Sequence, residues 1–254
     1  MKPIALQLYT VRELAKDDFA GTVKQVGEIG YVGVEPAGLQ GLSPQEAKAL
    51  FDEAGVKVCS SHMGMPTEET VDDAVAQCRL LGNDVMVTGF GADKMESLDS
   101  VRECAAAFQK AAELMKPHGI KVAFHNHWWE FDRQFDGKTP YQILMDEAPD
   151  LHSELDVYWC RYGGVDPVET IKQYGSRIPL LHVKDGPLTG DDGPDPHTAV
   201  GKGKMDMPAI IGAIDPDACQ WLIVELDHCA DDMMTAVADS YRYLVGEGLA
   251  KGNK

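Results

Sequence analysis

Five of the eight histidines, and a matching set of acids, fall at the ends of short β-branched runs followed by Gly, Pro or polar residues. VGVEP carries Glu35, KVCSSH ends in His62, KVAFHNH in His125 and His127, and SELD in Asp156. PLLHVKD closes on His182 to Asp185, and LIVELDH on Glu225 to His228. Carboxylate oxygens and imidazole nitrogens gathered from separate strands suit Mn²⁺, Zn²⁺, Co²⁺ or Mg²⁺ better than an ion that prefers thiolates. The same groups can relay protons near neutral pH. Four places matter most: His125, Asn126 and His127 on one run, Asp156 on the next, then His182, then Glu225. Each alone also reads as an ordinary polar strand end. Together they point to an enzyme.

Such side chains converge only if the elements carrying them close on one another. Strand-like runs begin near Ile4, Val32, Val56, Val85, Val122, Leu155, Leu180 and Leu222. Runs with helical spacing lie between and after them, at 19–30, 43–55, 68–82, 100–119, 140–148, 167–175, 207–214 and 233–246. One β-loop-α-loop unit every ~32 residues is the length such a module needs. Ser43 with Glu46 forms a capping box with Pro44 at the first helical position, and Gly30, Gly55, Gly82 and Gly119 stand where helices should stop. A doubly wound sheet competes with a barrel for any βα alternation, but IALQLYTVRE has no G-x-G-x-x-G after the first strand. Eight regular units favour a single (β/α)8 barrel over 1–254, with its polar strand ends at the C-terminal rim. The long irregular stretch from Gly186 to Asp206 is expected to lie over that rim as a functional loop.

Composition narrows the function. The 41 acids against 23 bases give a net charge of −18, which argues against a nucleic-acid partner because phosphate affinity comes mainly from Lys and Arg. The start, MKPIALQLYTV, has no basic region followed by a long apolar stretch, and no later run approaches ~18 apolar residues. A cytoplasmic protein without membrane contact is expected. The six cysteines lack C-x-x-C spacing and read as reduced packing thiols. Nothing in the sequence marks an interface, although barrels of this kind often form homo-oligomers.

From LQLYTVRE through GYVGVEPAG, FHNHWWEF, LDVYW, LLHVKD, VGKGKMD and VELD to DSYRYL, the chain resembles the xylose isomerase-like TIM-barrel superfamily of sugar phosphate isomerases and epimerases. That superfamily also holds inosose dehydratases, ketose 3-epimerases, hydroxypyruvate isomerases and endonuclease IV. The resemblance implies one divalent ion, Mn²⁺ first with Zn²⁺, Co²⁺ or Mg²⁺ as alternatives, held by Asp156, His182 and Glu225 and by an acid on the fifth strand. At that last position the chain departs from its relatives. Where many have Glu, then Asn and His, it has His125, Asn126 and His127, with Glu130 beyond. Either His125 takes the ligand's place or the ion keeps three protein ligands and more water.

The resemblance implies a sugar isomerase or epimerase that moves a proton beside the carbonyl of a keto-sugar or polyol. A lyase on the same scaffold, an inosose dehydratase or an enzyme eliminating from a 3-keto-glycoside, is the alternative. An endonuclease IV-like nuclease and a catalytically silent sugar-binding protein stand further off. Glu225 is the first candidate for orienting or deprotonating the substrate, with Glu130, His125 and His127 as alternatives. His62 and Glu35 could each touch substrate, or serve as a structural histidine and a rim salt bridge. His182 and Lys184 share a strand face, so Lys184 could bind a substrate oxygen, or instead pair with Asp156 or Glu225. Asp185 is a further substrate-binding candidate. Trp128, Trp129, Tyr158 and Trp159 could stack on a sugar or pack beneath loops. Arg161 and Lys202 could meet a phosphate, though no glycine-rich cradle accompanies them.

Overall fold

The computed structural model describes residues 1–189, 197–229 and 231–254, so the middle of the 186–206 stretch lies outside the described residues. Among them are strands β1 (Lys2–Gln7), β2 (Gly33–Glu35), β3 (Lys57–Val58), β4 (Ser61–His62), β5 (Val85–Thr88), β6 (Lys121–His125), β7 (His152–Asp156), β8 (Leu180–Val183), β9 (Trp221–Val224) and β10 (Ala250–Lys251). Nine of them follow the order β3-β2-β1-β9-β8-β7-β6-β5-β4, with every neighbouring pair parallel.

The two ends of that series are halves of one barrel strand, broken at Cys59 and Ser60. The first half pairs with β2 and the second with β5. Backbone bonds from His62 N to Pro36 O (3.0 Å) and from Met63 N to Val87 O (2.9 Å) carry the ring across the break. The result is the expected (β/α)8 barrel, with one strand in two pieces.

Helices clothe the outside: α1 (Arg12–Asp17), α2 (Phe19–Ile29), α3 (Pro44–Glu53), α4 (Val71–Leu81), α5 (Leu98–Met115), α6 (Pro140–Glu147), α7 (Val157–Tyr162), α8 (Pro167–Tyr174), α9 (Met207–Gly212) and α10 (Met233–Gly246). On α5 the buried Val101, Cys104, Ala105, Phe108, Ala111, Ala112 and Met115 recur at helical spacing, a single stripe laid on the barrel. The expected capping box of Ser43 and Glu46 opens α3, and Thr139 with Gln142 forms a second one on α6. All six cysteines are free thiols, five of them buried. No described helix is long and apolar enough to cross a membrane.

What positions the site is the period of two along each strand. Ala5, Cys59, Val85, Val87, Ala123, Leu180 and Ile223 form a small apolar cluster of their own, separate from the large core between barrel and helices. Two residues further along the same strands, on the same inward face, stand Gln7, His125, His182 and Glu225. On β8 a second step of two reaches Lys184. β7 sends in Glu154 and Asp156. An apolar plug therefore closes the bottom of the barrel interior, and acids and imidazoles fill the layer above it.

Three local readings need correction. The sixth strand, expected to begin near Leu155, runs from His152 to Asp156 and does not continue into the β-prone Val157 to Trp159. Asp156 instead accepts a hydrogen bond from Trp159 N (2.8 Å) and N-caps α7, so VYW turns helical despite its β-prone residues. Helix α1 was unforeseen, and so was β10, which pairs with β1 through Lys2 and Ala250.

Candidate metal and proton-transfer site

The acids and imidazoles at the C-terminal ends of β2, β4 and β6–β9 meet in the barrel mouth. Asp156 lies opposite His182 in the β7–β8 register, and His125 opposite Glu154 in the β6–β7 register. One donor atom each from His125, Asp156, His182 and Glu225 lies within 4.8 Å of the other three. These are the four residues singled out as ligands from the sequence. His182 Nδ1 is 2.9 Å from Glu225 Oε2, and His125 Nε2 is 4.0 Å from the same oxygen.

Their backbone is held as firmly as their side chains. Asn126 clamps Asp156, accepting from Asp156 N at 2.9 Å and donating to Asp156 O at 3.2 Å. Thr10 Oγ1 accepts from Leu226 N (3.1 Å) just beyond Glu225. Neither anchor was given a role from the sequence, although Asn126 lies within the run that carries His125.

Lys184 occupies the centre of the charge. Its wholly buried Nζ stands 3.0 Å from Asp156 Oδ2, 3.0 Å from Glu225 Oε2 and 2.9 Å from Asp227 Oδ2, and 5.1 Å from the centre of the Trp159 ring. Of the two readings of Lys184, the ion pair is the one seen. Burial alone would lower the ammonium's pKa, but the three carboxylates outweigh it and hold Lys184 well above its ordinary value. Burial raises Asp156, with Lys184 only partly offsetting it. In Glu225 burial also pushes upward, yet Lys184 and His182 prevail and keep it well below the usual carboxylate range.

The donor set passes a simple test for a divalent cation. Among the described residues Asp156 Oδ2 meets only the Lys184 ammonium at 3.0 Å, and His125 Nδ1 only the Glu154 carboxylate at 3.2 Å, so His125 Nε2 and the Asp156 carboxylate stay open to an ion. Two imidazoles and two carboxylates without a thiolate match Mn²⁺, Zn²⁺ or Co²⁺. A tetrahedral ion ~2.0–2.2 Å from each ligand sets the ligand atoms ~3.3–3.6 Å apart, a spacing bracketed by the 2.9 Å between His182 Nδ1 and Glu225 Oε2 and the 4.0 Å between His125 Nε2 and the same oxygen.

The other residues named from the sequence divide. His62 lines the pocket above the site, with Nε2 2.8 Å from Glu154 Oε2 and 3.0 Å from Glu35 Oε1. Burial disfavours its charge, but those two carboxylates prevail and push its pKa up to about 10. His127 and Trp159 line the same pocket, and His127 stacks on Trp129 at 4.1 Å. Burial, then the positive field of His125 and Lys184, lowers His127 to about 3, so the ring is neutral at physiological pH.

Three candidates do not face the pocket. Glu35 is fully buried, accepting from Gln7 and Ser60 and facing His62 and His182, because it sits deep on β2 rather than on a rim loop. Asp185 spends both oxygens on backbone donors: Oδ1 accepts from Gly186 N (2.8 Å) and Met205 N (3.0 Å), Oδ2 from Gly201 N and Gly203 N (3.0 Å each). It moors the far side of the 186–206 loop rather than reaching a ligand. Glu130 turns back under its own loop to accept from His127 N (2.8 Å). Arg161 lines a separate cavity with Lys204, and Lys202 pairs with Asp239.

Glu130 gives a pH prediction. Burial raises its pKa from 4.5 to about 8, so the folded state keeps a proton that the unfolded chain releases, and stability falls as pH rises from 4.5 to 8. His127 and His152, lowered to about 3 and about 4 by burial, act in the opposite sense but only below pH 6.5. Between pH 6.5 and 8 the Glu130 contribution therefore stands clear of those histidines. His62 and His182, both raised above 6.5, lose stability in the same sense over that window. Thermal melts of the wild type should therefore lose midpoint temperature there, and Glu130→Gln, which keeps an acceptor for His127 N, should fall less steeply. Parallel curves for the two proteins would contradict the assignment.

Above the site opens a pocket of ≈ 420 Å³ walled by Trp128, Trp129 and Trp159, with Tyr9, Arg12 and His228 on the opposite side. Arg12 was not foreseen. It donates to Asp227 O (2.7 Å) and lies over the Tyr9 ring at 4.1 Å. Glu154 was also overlooked, although its position two residues before Asp156 put it on the same strand face.

A family model described as xylose isomerase-like TIM barrel matches residues 23–244, and the chain belongs to that family. Among curated proteins it is 23% identical over 260 residues to an inosose dehydratase of Geobacillus kaustophilus strain HTA426, covering 87% of this chain and 82% of the relative. A crystal structure of a sugar phosphate isomerase/epimerase from Parabacteroides distasonis ATCC 8503 superposes with a TM-score of 0.82 at 24% identity, covering 98% of this chain and 96% of the other. The IOLI protein, solved with a bound zinc atom, gives a TM-score of 0.71 at 14% identity, covering 97% and 99%. One of these relatives is named a dehydratase and another a sugar phosphate isomerase/epimerase.

Proposed function

We propose that the protein is a metal-dependent isomerase or epimerase that moves a proton beside the carbonyl of a keto-sugar or related polyol. The observation that carries this reading is the convergence of His125, Asp156, His182 and Glu225 within 4.8 Å, with His125 and Glu225 lining a tryptophan-walled pocket. Those four residues would hold one divalent ion, Mn²⁺ first, with Zn²⁺, Co²⁺ or Mg²⁺ as alternatives. When bound, such an ion supplies a Lewis acid for a sugar carbonyl, which makes the neighbouring C–H acidic.

The chain's own groups do the rest. Glu225 is the first proton acceptor, since its carboxylate is ionised at neutral pH and borders the pocket. Glu225 can hand the same proton to the neighbouring carbon, and His127, neutral and facing the same pocket, can hydrogen-bond a substrate oxygen. Lys184 keeps Asp156 and Glu225 charged and in place, and its field favours negative charge developing on a substrate oxygen. The flat faces of Trp128, Trp129 and Trp159 suit the apolar face of a sugar ring and exclude water.

A lyase on the same site is the second reading. The imidazole of His125 in place of a strand-five carboxylate leaves no symmetrical pair of glutamates to exchange protons across both faces of a sugar, which favours one-sided abstraction with loss of a leaving group. Incubation of the Mn²⁺-loaded protein with a panel of ketohexoses in D₂O separates the two. Exchange of carbon-bound hydrogen without unsaturated product is expected; new enone absorbance would move the assignment to the lyase. No exchange and no elimination on any sugar would refute both.

A further inference from the structure

His125 and His182 each direct one ring nitrogen toward Glu225 and the other toward a second, deeper pair of acids. His182 Nδ1 is 2.9 Å from Glu225 Oε2, while its Nε2 is 3.0 Å from Glu35 Oε1 and 3.2 Å from Glu154 Oε2. His125 Nε2 faces Glu225 at 4.0 Å, and its Nδ1 is 3.2 Å from Glu154 Oε2. His62 Nε2 approaches the same Glu154 oxygen at 2.8 Å. Glu154 and Glu35 have no exposed surface, and among the described residues every ion pair they make is with one of these three imidazoles.

A buried carboxylate of this kind requires N–H donors, because the cost of leaving its lone pairs unmet is several times that of an ordinary lost hydrogen bond. Glu35 also receives the Gln7 amide and the Ser60 hydroxyl, whereas among the described residues only imidazoles reach Glu154, all three at Oε2, with Oε1 left unmet. The protons must then sit on His62 Nε2, His125 Nδ1 and His182 Nε2. With a cation at the outer set, the proton shared between His182 Nδ1 and Glu225 Oε2 is displaced, and each ring, then neutral, carries one N–H. The lone pairs of His125 and His182 are thereby left on Nε2 and Nδ1, both directed to the side where Asp156 and Glu225 converge.

We propose that Glu154, assisted by Glu35, is a positioning residue: it fixes the tautomers of His125 and His182 so that each presents its lone pair to the cation held with Asp156 and Glu225. This rests on the metal-binding reading above. It also accounts for an acid on β7 one step deeper than Asp156, since a histidine on the fifth strand, unlike a glutamate there, has two nitrogens and needs an orienting partner. The inner set of His62, His125, Glu154 and His182 also has the spacing of a cation site. An ion there together with one at the outer set would require both shared rings to ligate through both nitrogens, with no N–H left for Glu154.

The test is zinc titration with stoichiometry, together with long-range ¹H–¹⁵N spectra of the imidazoles in the Zn²⁺-loaded wild type and Glu154→Gln. The wild type should bind one Zn²⁺ per chain, with N–H on His125 Nδ1 and His182 Nε2. Glu154→Gln, folded by circular dichroism, should bind zinc about 10- to 100-fold more weakly and lose the His125 Nδ1–H signal. The wild-type spectrum decides the matter even if the variant fails to fold: the opposite tautomers there overturn the proposal. So does an unchanged affinity in the variant, or two zinc ions per wild-type chain with one lost on substitution. Zinc failing to bind the wild type at all would instead remove the metal-binding reading and this proposal with it.

Discussion

Asp156→Ala should bind no divalent metal at concentrations that saturate the wild type, and should lose at least ~10³-fold in proton-exchange activity. The size follows from the several kcal/mol a Lewis acid contributes to stabilising developing charge, at ~1.4 kcal/mol per tenfold in rate. The side chain does two things at once: Oδ1 caps α7 through Trp159 N, and Oδ2 points to Lys184 and the proposed ion. Loss of the cap alone costs only about 1 kcal/mol, so a folded but metal-free protein is the expected product. Equilibrium dialysis followed by metal analysis reads the first effect, and circular dichroism the second. Full metal occupancy in this variant would discredit the outer site.

Lys184→Met should be the most destabilising single change in the barrel mouth. Met fills the space of the lysine stem but leaves Asp156, Glu225 and Asp227 facing one another without a counter-charge. Breaking a buried pair in this way costs ~3–5 kcal/mol. In a chain of this size that lowers the melting temperature by roughly 10 °C. Differential scanning calorimetry in EDTA measures it. Added Mn²⁺ should recover more of the melting temperature in the variant than it adds to the wild type, since the ion takes over charge that the ammonium had balanced. A melting temperature unchanged within about 2 °C would show that the ammonium does not compensate those acids.

The barrel and its four outer-site residues were legible because both depend on local rules. The joint pattern of polar strand ends, together with the resemblance, singled out the four residues, and period-two alternation puts Ala123 and His125, Leu180 and His182, and Ile223 and Glu225 on the same inward faces. What escaped was whatever depends on partners distant in the chain. Glu35 and Asp185 carry the same kind of carboxylate as the pocket groups and stand at or just past strand ends, yet depth in the barrel commits one to Gln7 and Ser60 and loop closure commits the other to four backbone amides. Val157 to Trp159 misled for a related reason. Their β propensity was outweighed by the Asp156 cap, a preference worth less than the tertiary context that decides it.

Glu154 shows the limit most clearly. It stood in plain view within SELD, but its meaning comes from His62, His125 and His182, which lie 92, 29 and 28 positions away in the chain and meet it only because the sheet closes.

The most direct measurement of all is anomalous diffraction from crystals grown with Mn²⁺. A single peak is expected at ~2.0–2.3 Å from Asp156, His182 and Glu225, with His125 completing the set. A saturated crystal with its only peak away from these residues, or with no peak in the barrel mouth, would contradict the account.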